Sequence, residues 1–472
     1  MSRLPLPVFA LIGPGELPVC TLALLVFALA LLAAWAGPVA LLGFLGLILL
    51  GGLSLLAWRH LEIASAAWLL LAGCTLEMTL SDLFGLGWYQ PVIAAVKGME
   101  LVLIGFAILR YGLARDWANP ALVFVAMFAA GLAHGLYPGL GMGESLRSLV
   151  GSAAPYGFSF ARLSPRWADA IIAMTRRIPL LSVAAGAVLD RAGIRPIFMQ
   201  ADGVRLAALG HPAFLAGFCL AALYACLIEL YRHGRRRDLA LLIANALILV
   251  LTGARAPLAY GGAVVVLSLA FVSAPAMKRS WRWALLLGGA ALLPGLILLG
   301  GDLEQLRLFN VLSNAAVDLS GRQDLWPAFE RAAAASPWFG WGVGAGNAVI
   351  PPDSALAHEI GTWAAHNEYL RMAVEGGQLG RAALILSFFF WVRGHTRSLA
   401  TPERRIMRLV FLAFAAHAAT DNILISTSAC VLFAFASAVF ARGAAEAAAR
   451  DGRRLRPSRA APAGASRAGS RD

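Results

Sequence analysis

Long apolar runs, broken by short polar or basic loops, dominate the chain and decide its class. An α-helix rises about 1.5 Å per residue, so about 20 apolar residues cross the hydrocarbon of a bilayer. Runs of this kind predict membrane spans at about 17–36, 38–57, 62–80, 92–113, 120–138, 212–231, 238–253, 256–274, 283–301, 370–392, 406–421 and 423–441. The pattern predicts an all-α fold, a polytopic transmembrane helix bundle of about 12 spans. Two regions interrupt it: 141–211, which holds one further apolar candidate at 168–189, and a polar insertion at 302–369 between the spans at 283–301 and 370–392. Arg176-Arg177 sits at the centre of 168–189, and paired charges in mid-bilayer are expensive. That segment is therefore read as an interfacial or re-entrant helix.

Charge orients the bundle. Basic residues cluster in Arg232–Arg237, Lys278–Arg282, Arg393–Arg408 and the tail after Arg442, and lysine and arginine accumulate in cytoplasmic loops. Both termini are then cytoplasmic, while Gly253-Ala254-Arg255, the insertion and Asp421 face outside. A crossing at 168–189 would break this parity. The expected organisation is N-terminal transmembrane helices (1–140), an external or interfacial segment (141–211), a helical core (212–301), an external catalytic loop (302–369), C-terminal transmembrane helices (370–442) and a disordered basic tail (443–472). Arg3, Pro5 and Pro7 precede a full-length span, so the first helix is expected to act as an uncleaved signal anchor.

Composition agrees with this reading: of 472 residues 60% are hydrophobic and 14% charged, with a mean hydropathy of +0.73. The net charge of +13 is dispersed over short loops and the tail, so a nucleic-acid partner is not expected. Five cysteines (Cys20, Cys74, Cys219, Cys226, Cys430) lie in apolar runs without a CxxC or a His/Cys cluster. They read as small buried hydrophobes, not as metal ligands or disulfides.

On this topology Arg205, Arg255, Arg322 and His366 share the external face. A guanidinium keeps its charge and forks onto two phosphate oxygens, so arginines at the outer headgroup level point to a bound diphosphate. Any one of them alone would more often be a snorkelling side chain. Ser320 would cap an amphipathic helix of about 323–335, placing Arg322 in a first turn where backbone donors meet an anion. Gly340, Gly342, Gly344 and Gly346 lack the preceding strand of a nucleotide loop and read as backbone that permits close approach. His366 is the candidate general base, because an imidazole can accept a hydroxyl proton near neutrality. Glu368 or Glu375 would orient it; His211 and His358 are second choices. Lys97 and Glu100 lie three residues apart on one helical face, as functional suspects or a mutually neutralising pair. Asp421, at an external helix end, can pair with one of the arginines.

The ordered set Arg205…Gly210-His211-Pro212, Thr252-Gly253-Ala254-Arg255, Ser320-Gly321-Arg322 with Trp326, Pro337 and the glycine series, His366-Asn367-Glu368-Tyr369-Leu370, Glu375-Gly376-Gly377 and Gly380 resembles the O-antigen ligase and polymerase superfamily of bacterial membrane glycosyltransferases. The resemblance covers roughly 200–425, with departures at Ala254 (usually Ser in the family) and Ala213 (commonly Asn). It implies a multi-pass protein of the bacterial inner membrane with a periplasmic active site. Such an enzyme moves a glycan from undecaprenyl diphosphate to a hydroxyl of an acceptor, lipid A–core or similar. Arginines matching Arg205 and Arg255 would bind the diphosphate, and His366 would activate the acceptor. No metal or cofactor is expected, since a diphosphate neutralised by arginines is already a competent leaving group. The expected partners are the lipid-linked donor, a lipid or glycan acceptor and membrane lipids. A polymerase would use the same chemistry on a different acceptor. A transporter is the third reading, disfavoured because it would place charges near the bilayer midplane.

Overall fold

The computed structural model describes residue 46 and residues 48–84, 89–200, 203–298 and 324–454. The expected span at 17–36, Arg322 with the rest of 299–323, and the tail beyond 454 lie outside the described residues. One compact unit, Met1–His60, contributes helix α1 (Ile48–Arg59). The other, Leu61–Asp472, holds everything below.

Helices make up nearly all of that unit: α2 (Leu61–Gly73), α3 (Leu76–Phe84), α4 (Tyr89–Tyr111), α5 (Pro120–His134), α6 (Met142–Ala153), α7 (Pro165–Thr175), α8 (Ile178–Arg191), α9 (Pro212–His233), α10 (Arg236–Leu251), α11 (Arg255–Phe271) and α12 (Arg279–Leu298). Then follow α13 (Trp326–Ala335), α14 (Ala355–Ile360), α15 (Glu368–Thr396), α16 (Thr401–His417) and α17 (Thr427–Arg454). Among the described residues the only sheet is an antiparallel hairpin of β1 (Phe198–Gln200) and β2 (Val204–Leu206), which pairs Met199 with Arg205. The fold is all-α.

The ends of these helices follow local chemistry. Asn119 and Ser164 cap α5 and α7 by accepting from Ala121 and Trp167 N–H, each ahead of a proline at the first helical position. Gly234 ends α9 in the left-handed conformation a helix terminus favours. Apolar residues line every side of α9, and it is buried nearly all round, packed against α7, α8, α10, α11, α16 and α17. Trp391 of α15 meets Phe411 of α16 and Phe433 and Phe440 of α17, so the C-terminal helices close on an aromatic core.

Among the described residues, Val92–Tyr111, Pro212–His233 and Thr427–Asp451 are long and apolar enough to cross a membrane. Ile48–Arg59, Leu61–Gly73, Pro120–His134 and Arg255–Phe271 are apolar but shorter. The run at 62–80, read as one span, is in fact broken at Thr75, a β-branched residue at φ 45°. The segment 168–189 forms α7 and α8, bent by 48°. Arg176 and Arg177 sit at that bend. Arg176 is buried and donates from Nη1 to Asp238 Oδ1 at 2.5 Å, and Arg177 donates to the Ala173 carbonyl at 3.3 Å.

Candidate active site

The glycine series is explained by what lies next to it. The chain at 337–342 runs against the first turns of α15, where Gly377 breaks the helix with φ 59° and ψ −162°. Trp341 and Gly342 N–H donate to the Val374 and Glu375 carbonyls, both at 2.9 Å. Gln378 and Leu379 N–H, freed by the break, donate back to Pro337 and Trp338 carbonyls at 2.8 and 3.1 Å. Added Cβ atoms at Gly340 (φ 70°) or Gly377 would collide with the opposing backbone. These glycines serve main-chain contact between two protein segments, and no nucleotide loop is formed.

α15 begins two residues after His366. Asn367 caps it by accepting from Leu370 N–H at 3.1 Å, and Glu368 N–H donates to the Ala418 carbonyl at 2.7 Å. His366 just before the cap has φ 47°, a conformation unusual for a side chain larger than glycine. Its ring turns toward 418–426, the turn joining α16 to α17. There His366 Nδ1 lies 2.9 Å from Asp421 Oδ1, and Nε2 lies 3.1 Å from Thr362 Oγ1. The carboxylate can only accept, so Nδ1 carries a hydrogen; in the neutral ring the lone pair is then on Nε2. Trp326 Nε1–H, donating to the Ala365 carbonyl at 3.0 Å, fixes the loop from the other side.

Asp421 has two histidine neighbours, since His417 Nε2 stands 3.9 Å from Oδ2. Burial alone would push its carboxyl up. The hydrogen bond from His366, both nearby imidazoles and the Asn422 N–H outweigh that and hold the carboxyl below its usual range. The Tyr260 ring of α11 packs against His417 at 5.2 Å, and its hydroxyl donates to the Ala416 carbonyl at 3.2 Å. α11 starts at Arg255, and it packs along α16.

The hairpin joins the same region. Arg205 is buried and donates from Nε to the Thr252 carbonyl at 2.9 Å. Thr252 ends α10, Gly253 turns the chain at φ 62°, and Arg255 opens α11 as an exposed side chain. Two of the three arginines therefore converge on one turn; Arg322 is not among the described residues. His211 acts as a helix cap, its Nδ1 accepting from Ala213 N–H at 3.2 Å. Gly210 just before it abuts Thr75 at the α2–α3 break, and Thr79 donates to Leu209.

Other candidates have different partners from those expected. Neither Glu368 nor Glu375 orients His366: both are tied to the buried Arg371, whose Nε donates to Glu368 Oε2 at 2.6 Å and whose Nη1 donates to Glu375 Oε1 at 3.1 Å. Glu368 Oε1 also accepts from Leu424 N–H at 2.7 Å, so this triad braces the Asp421 turn. Asp421 contacts His366 and His417. Lys97 donates to the carbonyls of Gly151 and Ile425 at 3.0 and 2.8 Å, and among the described residues no ion pair joins it to Glu100. From α4 it thereby supports the same turn. Thr362, His417 and Tyr260 carried no signal in the sequence, because their relevance depends on three separate segments meeting at Asp421. Among the described residues, no three His, Cys, Asp or Glu side chains converge as metal ligands would.

Comparison with known proteins bears on this assembly of residues. No curated protein matches the chain. Residues 240–385 match the family described as O-antigen ligase. The matched stretch contains Thr252–Arg255, Trp326, the glycine series, His366 and the Glu368–Arg371–Glu375 triad, while Arg205 and Asp421 lie outside it. Over that segment, about a third of its length, the chain is similar to the O-antigen ligase family.

Proposed function

We propose that the protein transfers a glycan from an undecaprenyl diphosphate-linked donor to an acceptor hydroxyl at the periplasmic face of the bacterial inner membrane. The observation that carries this reading is the 2.9 Å contact between His366 Nδ1 and Asp421 Oδ1, which leaves Nε2 as a base. Thr362 Oγ1 stands 3.1 Å from Nε2, so one hydroxyl already sits where an acceptor hydroxyl would bind. In the reaction the acceptor oxygen attacks the anomeric carbon as its proton passes to Nε2. The bond from that carbon to the diphosphate breaks, and the leaving diphosphate keeps the electron pair on its carrier. Arg205 and Arg255, with Arg322 as a third donor, neutralise that charge, which is electrostatic catalysis at the leaving group. Asp421 holds the imidazole in one tautomer and stabilises the imidazolium as it forms. On this reading 302–369 is the periplasmic insertion.

Lipid A–core is the preferred acceptor class, and a growing glycan on a second carrier is the polymerase alternative. Purified protein in detergent, given lipid-linked glycan and either acceptor, tests both. Transfer to lipid A–core marks a ligase, and chain extension marks a polymerase. Absence of any transfer under conditions where the donor binds would sink the proposal.

A further inference from the structure

The residues at the opposite end of α9 form a second site. α9 has 22 residues; at about 1.5 Å each it separates His211 from His233 by about 33 Å, close to a bilayer's hydrocarbon thickness. At the His233 end lies a pocket of about 600 Å³ lined by Arg176, Arg232, Arg235, Arg237 and Arg442, together with Glu229. None of these residues belongs to the site around His366.

Ion pairs leave part of this charge unused. Arg442 is 7% exposed; its Nη1 donates to Glu229 Oε1 at 2.6 Å and lies 3.6 Å from Asp169 Oδ1. Its Nε and Nη2 find no hydrogen-bond partner among the described residues, and neither does Nε of the buried Arg176. Buried donors without partners are rare because leaving them unmade is costly. Arg232 is divided between Glu403 and Glu446. Arg235 and Arg237 stand exposed at the rim, the latter 3.8 Å from an Asp238 that Arg176 already engages. Tetrahedral oxygens on one anion can accept from several guanidinium forks at once, which a carboxylate's two oxygens do less well. Ile172 and Ala445 add apolar wall beside the charge.

We propose that this pocket binds a phosphate group, carried by the headgroup of an anionic phospholipid in the leaflet opposite the His366 site. Basic pockets between helices at a membrane face are suited to such headgroups.

Native mass spectrometry of the full chain in detergent, with phosphatidylglycerol or phosphatidylcholine added, tests the lipid source. Thermal unfolding with inorganic phosphate tests the soluble one. Retention of phosphatidylglycerol should exceed that of phosphatidylcholine by about tenfold, and Arg235→Gln/Arg237→Gln should reduce it by about tenfold, as loss of charge-assisted bonds implies. Arg442→Gln should do the same; because it leaves Glu229 unpaired, the rim double variant decides if that protein does not fold. Arg381→Gln, half-buried and outside the pocket lining, should change nothing. Stabilisation by inorganic phosphate without lipid discrimination, lost in the rim variant, supports the phosphate site with a soluble occupant. Phosphatidylglycerol retention unaltered by both variants, with no effect of phosphate, overturns the proposal.

Discussion

Replacing Asp421 by asparagine removes one charge from the proposed base and little volume. Asp421 Oδ1 accepts from both His366 Nδ1 and Asn422 N–H, at 2.9 and 2.8 Å. An asparagine carbonyl could keep both bonds, so the ring need not move; only the stabilisation of the imidazolium formed on attack is lost. Unit charges about 4 Å apart interact by about 4 kcal/mol at an effective permittivity near 20. The side chains of His366 and Asp421 are 19% and 33% exposed, so water screens part of this. About half, some 2–3 kcal/mol, should survive, which is about a 10²-fold loss in rate at 1.4 kcal/mol per decade. If the amide instead turns its NH₂ toward Nδ1, the other tautomer is favoured and the loss is larger. The assay is initial-rate transfer by purified protein in detergent, with His366→Ala alongside, expected to fall about 10²–10⁴-fold. An Asp421→Asn rate within about twofold of wild type, beside an inactive His366→Ala, would show that the base works without the carboxylate. A wild-type rate for His366→Ala would remove the base altogether.

Arg205→Lys and Arg255→Lys should each transfer poorly, because an ammonium cannot fork onto a diphosphate, and in the first variant it could not reproduce the Nε contact of Arg205 to Thr252 in the same geometry; full activity of either in the same assay would show that bulk charge suffices. Arg371→Leu strands two buried carboxylates, Glu368 and Glu375, and should cost about 3–5 kcal/mol of stability, read by thermal unfolding in detergent. Acid should act through Asp421: its depressed carboxyl contributes stability that is present above the unfolded-state value of about 3.9 and lost as pH falls through the folded-state value. Melting temperature should therefore drop less for Asp421→Asn than for wild type between about pH 5 and pH 3, and identical drops would refute the linkage. Cysteines introduced at Ala355 and Arg236 should react with an impermeant reagent from outside and from inside respectively; outside labelling of Arg236→Cys would invert the topology.

Much of the helix pattern was legible because apolar length is a local property. What ended those runs was less so. The break at Thr75 is held open by Gly210 and Leu209, more than 130 residues away, and nothing near position 75 announces it. The paired arginines lie at the 48° bend between α7 and α8; Arg176 there pairs with Asp238 beside the basic loop read as cytoplasmic, which does not fit the external placement expected for 141–211. His366 stood out by chemistry and by its place where a polar loop meets a helix. Asp421 was legible as an external-face candidate but not as the partner of His366, because it is 55 residues away and arrives only through the α16–α17 turn. The pairing of Glu368 and Glu375 with Arg371 does have a readable signal: Arg371 follows Glu368 by three residues and precedes Glu375 by four, the spacing at which helical side chains pair.

The stitching of 337–342 to the broken start of α15 bears on how this protein can be handled as an experimental object. Trp341 and Gly342 donate across the boundary at 369, and Pro337 and Trp338 receive N–H groups from Gln378 and Leu379. Val343 accepts from Ser145 of α6, so a third segment is sewn in as well. A soluble fragment cut at 302–369 would expose all of these main-chain groups at once, with Ala345 losing its apolar neighbour Val374. Such a fragment should not hold its native shape, and antibodies or inhibitors selected on it would recognise a surface the full-length protein never presents. Reagents against this region have to be raised on the intact chain in detergent, nanodiscs or membranes.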